Sequence, residues 1–311
     1  MVSDRNGAKA KRLGKPPRSQ RLQPVARVWR ALWVIVLLST AALFFVPLIW
    51  LLLAPTKSDE ALVLVAPLSF GSLEQLGQTA QNLFTFNDGQ ILTWARNSLF
   101  YCASSVLLTL LISVPAGYGL ATTKFAARRT ILILTLVTMV MPRVVLVLPI
   151  FLEMSAVHLV NNAWSVILAS AFFPFGVYLL YIFFVTNLPR DILNAARIDG
   201  CNEYQLFSRV AVPLAGPAVA LVAFFSFVAT WNEYFLVGTL LNDDRLYNLP
   251  VGLATLMSVG SLNPGLMGNF SAVKRPEVAL AGLLLVLPII AVFIYTQRNV
   301  RADNLAGGEK G

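Results

Sequence analysis

The sequence predicts an all-α integral membrane protein, with six transmembrane helices and a cytoplasmic helix-loop-helix segment. Three observations predict it. Apolar residues make up 57% of the 311-residue chain and charged residues 13%, against about 45–50% and about 25% in soluble domains. A globule of this size buries only about three quarters of its chain surface, so 15 acids and 24 bases cannot cover the rest. Windows of about 20 apolar residues, the length a helix needs to cross a bilayer, recur along the chain. These runs are continuous rather than alternating, which fits helical spans and not barrel strands. A soluble enzyme, a disordered tail and a secreted disulfide scaffold are excluded.

The first window, Ala31–Leu53, holds 23 uncharged residues. That exceeds the roughly 7–15 of a signal-peptide core, and no small-x-small cleavage site follows, so it reads as an uncleaved helix. Asn97–Ala121 is the second window and Thr130–Leu152 the third, the latter carrying the single charge Arg143 between Pro142 and Pro149. Those prolines interrupt the helix and suggest a cavity-lining segment. Ala163–Leu188, Leu214–Asn232 (or on towards Leu241) and Val278–Gln297 complete the set. Domain organisation follows: a basic tail over 1–30, a six-span domain over 31–297 containing the loop 188–213, and a short tail over 298–311.

Orientation comes from Lys and Arg in the connections, which concentrate on the cytoplasmic side. With the N-terminus inside, eighteen fall in inner segments and five in outer ones, Arg143 being the remainder. Both termini are therefore expected in the cytoplasm. Nine of the bases lie in residues 1–30, directly before the first apolar run. That placement explains the net charge of +9 by anionic lipid rather than nucleic acid. His158 is the only histidine, so a histidine metal cluster and a histidine-based triad are excluded, and no G-x-x-x-x-G-K-[ST] nucleotide loop occurs. The two cysteines, Cys102 and Cys201, fall on opposite sides of the predicted membrane and cannot bridge.

The loop 188–213 is too polar to span and too patterned for a linker. Pro189 and Asp191 suit a helix start. Ile192, Ala195, Ala196 and Asp199 follow at i, i+3, i+4, i+7 spacing on one helix face. Gly200 supplies a left-handed residue that ends that helix. Asn202 caps a second helix running through Phe207 and Val210, and Pro213 stops it. Its alternative reading is an amphipathic hairpin on the inner membrane face.

This loop resembles the E-A-A-x-x-x-G, nine residues, I-x-L-P pattern of permease subunits in binding-protein-dependent ABC importers. The chain reads Asn194-Ala195-Ala196-x-x-x-Gly200, nine residues, then Val210-Ala211-Val212-Pro213, departing from the pattern at Asn194 in place of Glu. Further along, Pro213-Leu214 with Pro217, Trp231-Asn232-Glu233-Tyr234 and Leu249-Pro250-Val251-Gly252-Leu253 resemble the carbohydrate-uptake branch, of maltose-importer type. The end, Gly307-Gly308-Glu309-Lys310-Gly311, is similar to that subunit's glycine-rich C-terminus. The resemblance implies a transport subunit and not an enzyme, in a bacterial-type inner membrane. It implies as partners a second permease, two ATPase subunits that bind ATP and Mg, and an extracytoplasmic substrate-binding protein. The loop residues Asn194, Ala195, Ala196, Asp199, Gly200, Phe207 and Pro213 would then dock the ATPase, the small alanines permitting close approach.

Arg143 has two readings: a residue of a water-filled translocation path, or half of a structural ion pair with Glu153 or a partner chain. Trp231, Asn232 and Glu233 read either as an interfacial anchor and polar helix exit or, by the resemblance, as the outer part of that path. Two rival classes remain: an ion-gradient-driven secondary transporter, which predicts intramembrane acids and inverted repeats, and a membrane-embedded enzyme. Neither set of features stands out in the chain.

Overall fold

Every regular element is helical in the computed structural model, which describes residues 23–259 and 273–307. The basic stretch before residue 23, the outer-loop segment 260–272 and the glycine-rich end after Gly307 lie outside the described residues. By contacts the chain divides after Trp50. The first unit consists, among described residues, of helix α1 (Gln23–Leu53) as far as Trp50. All other elements belong to the second.

That second unit opens with a short 3-10 turn and α2 (Asp59–Leu64), followed by α3 (Leu73–Thr85) and the long α4 (Gln90–Thr122). Ser58 and Ser72 start the two shorter helices by accepting from Ala61 N and Gln75 N, satisfying donors that a helix end leaves unpaired. Next come α5 (Arg128–Val140), α6 (Arg143–Ala156), α7 (Ala163–Ala171) and α8 (Pro174–Asn187). The hairpin α9 (Arg190–Ile198) and α10 (Glu203–Gln205) follows, then α11 (Val212–Leu214), α12 (Gly216–Trp231), α13 (Phe235–Leu240), α14 (Leu249–Val259) and α15 (Arg275–Gly307).

Four helical stretches are long and apolar enough to cross a bilayer: Trp29–Thr56, Leu73–Thr122, Ala163–Asn187 and Arg275–Gln297. Two further candidates are bent pairs, giving up to six spans. The third predicted window, Thr130–Leu152, is not one rod. Its two halves, α5 and α6, meet at 110°. Proline causes this: Pro142 has no N–H and forces Met141 before it out of the helical region, to ψ 129°. The second bend, 74°, separates Glu203–Leu214 from α12. It sits at Ala215, before Pro217, and not at Pro213 as the sequence suggested. A π-turn over Leu206–Ala211, in which Val212 N–H reaches back to Phe207 O, widens the coil just before Pro213 and lets the helix run on to Leu214.

The central mast is α4, which packs against α7, α8 and α12. Lipid offers no hydrophobic drive between helices, so close contact relies on small residues and interhelical hydrogen bonds. Both are present. Gly117 lies where a β-carbon would come within 2.7 Å of Leu180 Cβ, so α4 and α8 touch nearly backbone to backbone. Ser105 Oγ donates to Ile167 O (3.2 Å) and Thr109 Oγ1 to Ala171 O (3.1 Å). Ala171 O ends α7, where the break at Phe172–Phe173 leaves helix acceptors unpaired, and Ile167 O lies one turn before it. Ser226 Oγ on α12 donates in turn to Thr109 Oγ1 (3.2 Å), tying three helices together in the dry interior.

Candidate functional site

Two regions gather the residues singled out by the sequence. At the hairpin, Gly200 has φ +87° with open space where a β-carbon would sit. Its left-handed backbone ends α9. Asn202 then forms a capping box, its Oδ1 accepting from Gln205 N (2.8 Å) while Gln205 Oε1 accepts from Asn202 N (3.0 Å). The hairpin is braced by charge. Arg197 donates from Nε to Glu203 Oε1 (2.9 Å) and from Nη2 to Oε2 (3.3 Å), a forked pair spanning the two helices. Hydrogen bonding to Glu203 pushes the Arg197 guanidinium pKa further up. Asn194, the departure from the family pattern, accepts from Arg197 Nη1 (3.3 Å).

The faces of α9 divide unevenly. Leu193 is buried, and Ala196 and Phe207 pack on the same apolar core with Leu206 and Tyr118. The Phe207 ring lies 5.2 Å from that of Tyr118. Asn194, Ala195 and Asp199 are exposed, as is Pro213. The two alanines therefore part company, one outward and one inward. Ile198, 86% exposed, and Tyr204, 76% exposed, extend the outward face. Sequence reasoning missed both, although an isoleucine beside a chain-reversing Asp-Gly was a readable signal of an apolar surface at a tip.

The second region lies between the bend before α6 and the break between α12 and α13. Arg143 stands in the first turn of α6, its guanidinium carbon 5.9 Å from the Phe173 ring centre, within cation–π range. Its ion-pair partner is Glu233, with Arg143 Nη1 3.8 Å from Glu233 Oε2. Glu153, the in-chain partner named above, does not pair with it. Arg143 and Glu233 line one open cavity of about 90 Å³, which Ser170, Thr230, Phe172 and Phe235 also face.

Glu233 is held from several sides. Its carbonyl accepts from Asn248 Nδ2 (2.6 Å), and its Oε1 accepts from Leu236 N (3.2 Å) at the start of α13. Asn248 is buried and is itself part of a loop fixed by α4. Trp94 Nε1 donates to Asp244 O, Asn97 Nδ2 to Arg245 O and Tyr247 O, and Tyr101 OH to Leu246 O. Ser98 Oγ accepts from Leu249 N (2.7 Å). Four side chains of one helix thus hold the loop 244–249 in place, a set not singled out from the sequence.

Trp231 and Asn232 do not share the cavity. Trp231 is 2% exposed, stacks on Phe227 and donates from Nε1 to Leu285 O (2.9 Å) on α15. It is an interior packing residue, not an interfacial anchor. Asn232 turns back on its own helix, donating to Val228 O (2.8 Å).

Comparison with known proteins agrees with this architecture. Residues 113–303 match the model of the family described as binding-protein-dependent transport system inner membrane component. The chain belongs to that family. It is a transmembrane ABC permease subunit, which sets aside the ion-gradient-driven reading. An arabinooligosaccharide transport system permease protein of Bacillus subtilis is 30% identical over 292 residues, covering 94% of this chain and 99% of the relative. Its namesake in Halalkalibacterium halodurans is 34% identical over 220 residues, 70% of this chain and 74% of that one. A sulfoquinovosyl glycerol transport system permease protein of Agrobacterium fabrum is 31% identical over 85% of this chain and 88% of its own. The same fold occurs in the crystal structure of a bacterial ABC transporter that imports the acidic polysaccharide alginate. There the TM-score is 0.75 at 22% identity, covering 91% of this chain and 99% of that one.

Proposed function

We propose that this chain is one of two permease subunits in an ATP-driven importer of saccharides. The three relatives described above are named for saccharide transport, which supports the substrate class. In this reading the bent pair α5–α6 counts as one span and α12 alone as another, six cross the bilayer, and both termini are cytoplasmic. An extracytoplasmic binding protein delivers substrate to the outer loops, and two partner ATPase subunits bind ATP and Mg. The chain's own part is mechanical. Asn194, Ala195 and Asp199, with Ile198 and Tyr204, meet the ATPase. Ala196 and Phe207 pass its movement through Leu206 and Tyr118 into α4 and α8, the helices against which that core packs. Such a device shifts an equilibrium only through contacts that differ between its two states. Arg143 and Glu233 line the path in this reading; Trp231 and Asn232 support it structurally.

The observation that carries the coupling role is the hairpin itself: a charge-braced, capped unit with a left-handed glycine and an exposed apolar tip. Gly200→Val tests it. A β-branched residue at φ +87° is strained by about 1–2 kcal/mol, with no steric clash to confuse the outcome. In reconstituted complex, Gly200→Val is expected to insert normally yet lose substrate-stimulated ATP hydrolysis and uptake together. Gly200→Asn, which tolerates that backbone, is expected to retain both. Unchanged coupling in the valine variant would remove the docking role from this loop.

A further inference from the structure

The cavity between α6, α7 and the α12–α13 break contains one guanidinium, of Arg143, and one carboxylate, of Glu233. The side chains lining it therefore carry no net charge. At 3.8 Å the contact is an ion pair but too long for a hydrogen bond. Glu233 cannot readily close the gap, because Asn248 holds its carbonyl and its Oε1 caps α13. The Arg143 side chain is 59% exposed against 17% for Glu233, so the positive partner reaches into the open side of the cavity. Ser170 adds an unmet need: among the described residues its buried Oγ has no hydrogen-bond partner. Buried hydroxyls are ordinarily paired, and one left alone calls for an explanation. Two large rings, Phe172 and Phe235, are 65% and 51% exposed on the same lining.

We propose that this cavity is a subsite for an uncharged polyhydroxylated ring, a neutral saccharide unit, with Arg143 and Glu233 as its specificity-determining pair. The proposal rests on the reading of the chain as a saccharide-importer permease. A sugar hydroxyl both donates and accepts, so one hydroxyl bridges the open ion pair, accepting from Arg143 and donating to Glu233. A second hydroxyl meets Ser170. The apolar C–H faces of the ring lie on Phe172 and Phe235, in the usual division of a small-molecule site between apolar walls and few polar groups. An acidic sugar is rejected by the same geometry. To pair with Arg143 it must compete with Glu233, leaving two carboxylates side by side with one guanidinium between them, and like charges at that range repel.

The complete importer, reconstituted with its binding protein and partner subunits, would be given an equimolar mixture of arabinotriose and a trimeric alginate fragment. ATP-dependent accumulation of each inside the vesicles is read by mass spectrometry. The wild type is expected to favour the neutral trimer by at least about tenfold, the effect of one charge-assisted hydrogen bond. Glu233→Gln is expected to move the neutral-to-acidic ratio about tenfold towards the acid, because Arg143 is then unpaired. Ser170→Ala, which deletes an unpartnered hydroxyl and so does not threaten folding, is expected to weaken neutral uptake severalfold. Exchanging the charges, Arg143→Glu with Glu233→Arg, is expected not to restore selectivity. Restoration would make the pair a structural latch and overturn the proposal. A wild type preferring the acid, or a ratio unmoved by Glu233→Gln and Ser170→Ala, would overturn it too. Accumulation of neither trimer, nor of any saccharide from a neutral and acidic library, would instead strike at the saccharide reading itself.

Discussion

At the scale of single residues, the same physics that holds the interior together also decides which polar groups are left for function. Trp231 illustrates the first part. It ends an apolar run with Asn232 and Glu233, so the sequence offers it as an interfacial or path residue, yet its indole is spent on Leu285 O and its ring on Phe227. Trp231→Phe removes one hydrogen bond, worth about 0.5–1.5 kcal/mol. The expected result is a lower unfolding temperature in detergent with unchanged saccharide selectivity; altered selectivity at unchanged stability would return Trp231 to the path. Glu233 illustrates the second part. The pairing with Arg143 was invisible in the sequence because ninety positions separate them (143 to 233) and no local rule links a proline bend to a distant helix break. What was legible is that an arginine inside a span needs a reason.

At the scale of elements, short-range chemistry was readable and angles were not. The turn at Gly200 and the cap at Asn202 follow from rules operating over three or four residues, and both appear where expected. Pro142 announced an interruption of the third window, but a proline fixes where a helix breaks rather than the 110° that results. Pro213 failed as a stop signal because a π-turn absorbs it. The mast α4 carries a readable signal that went unused: Tyr101, Ser105, Thr109, Ser113 and Gly117 recur every fourth residue and line the contact with its neighbours. A larger residue in that row is expected to be costly. Gly117→Leu places its β-carbon against Leu180 and should lower stability by about 1–3 kcal/mol from overpacking. Thermal unfolding of the purified protein checks this, and an unchanged transition would mean that α4 and α8 are less closely apposed.

At the scale of the whole molecule, composition and continuous apolar runs are enough for an all-helical membrane protein, whereas the permease reading comes from the resemblance of the loop 188–213, with which the family match agrees. Orientation rests on the positive-inside asymmetry. A cysteine in place of Gln78, exposed on α3, should therefore react with an impermeant reagent applied outside intact cells. Protection there would invert the topology. The central claim, that the hairpin joins this chain to an ATP-driven partner, is tested most directly by contact. A photoreactive residue at Ile198, the most exposed apolar position of the hairpin, would be illuminated in membranes holding the assembled importer. The account predicts a covalent product between this chain and the ATPase subunit, diminished in the Gly200→Val variant. Cross-linking to lipid alone, with the ATPase present and the importer active, would contradict it and leave the hairpin as an amphipathic element lying on the inner membrane face.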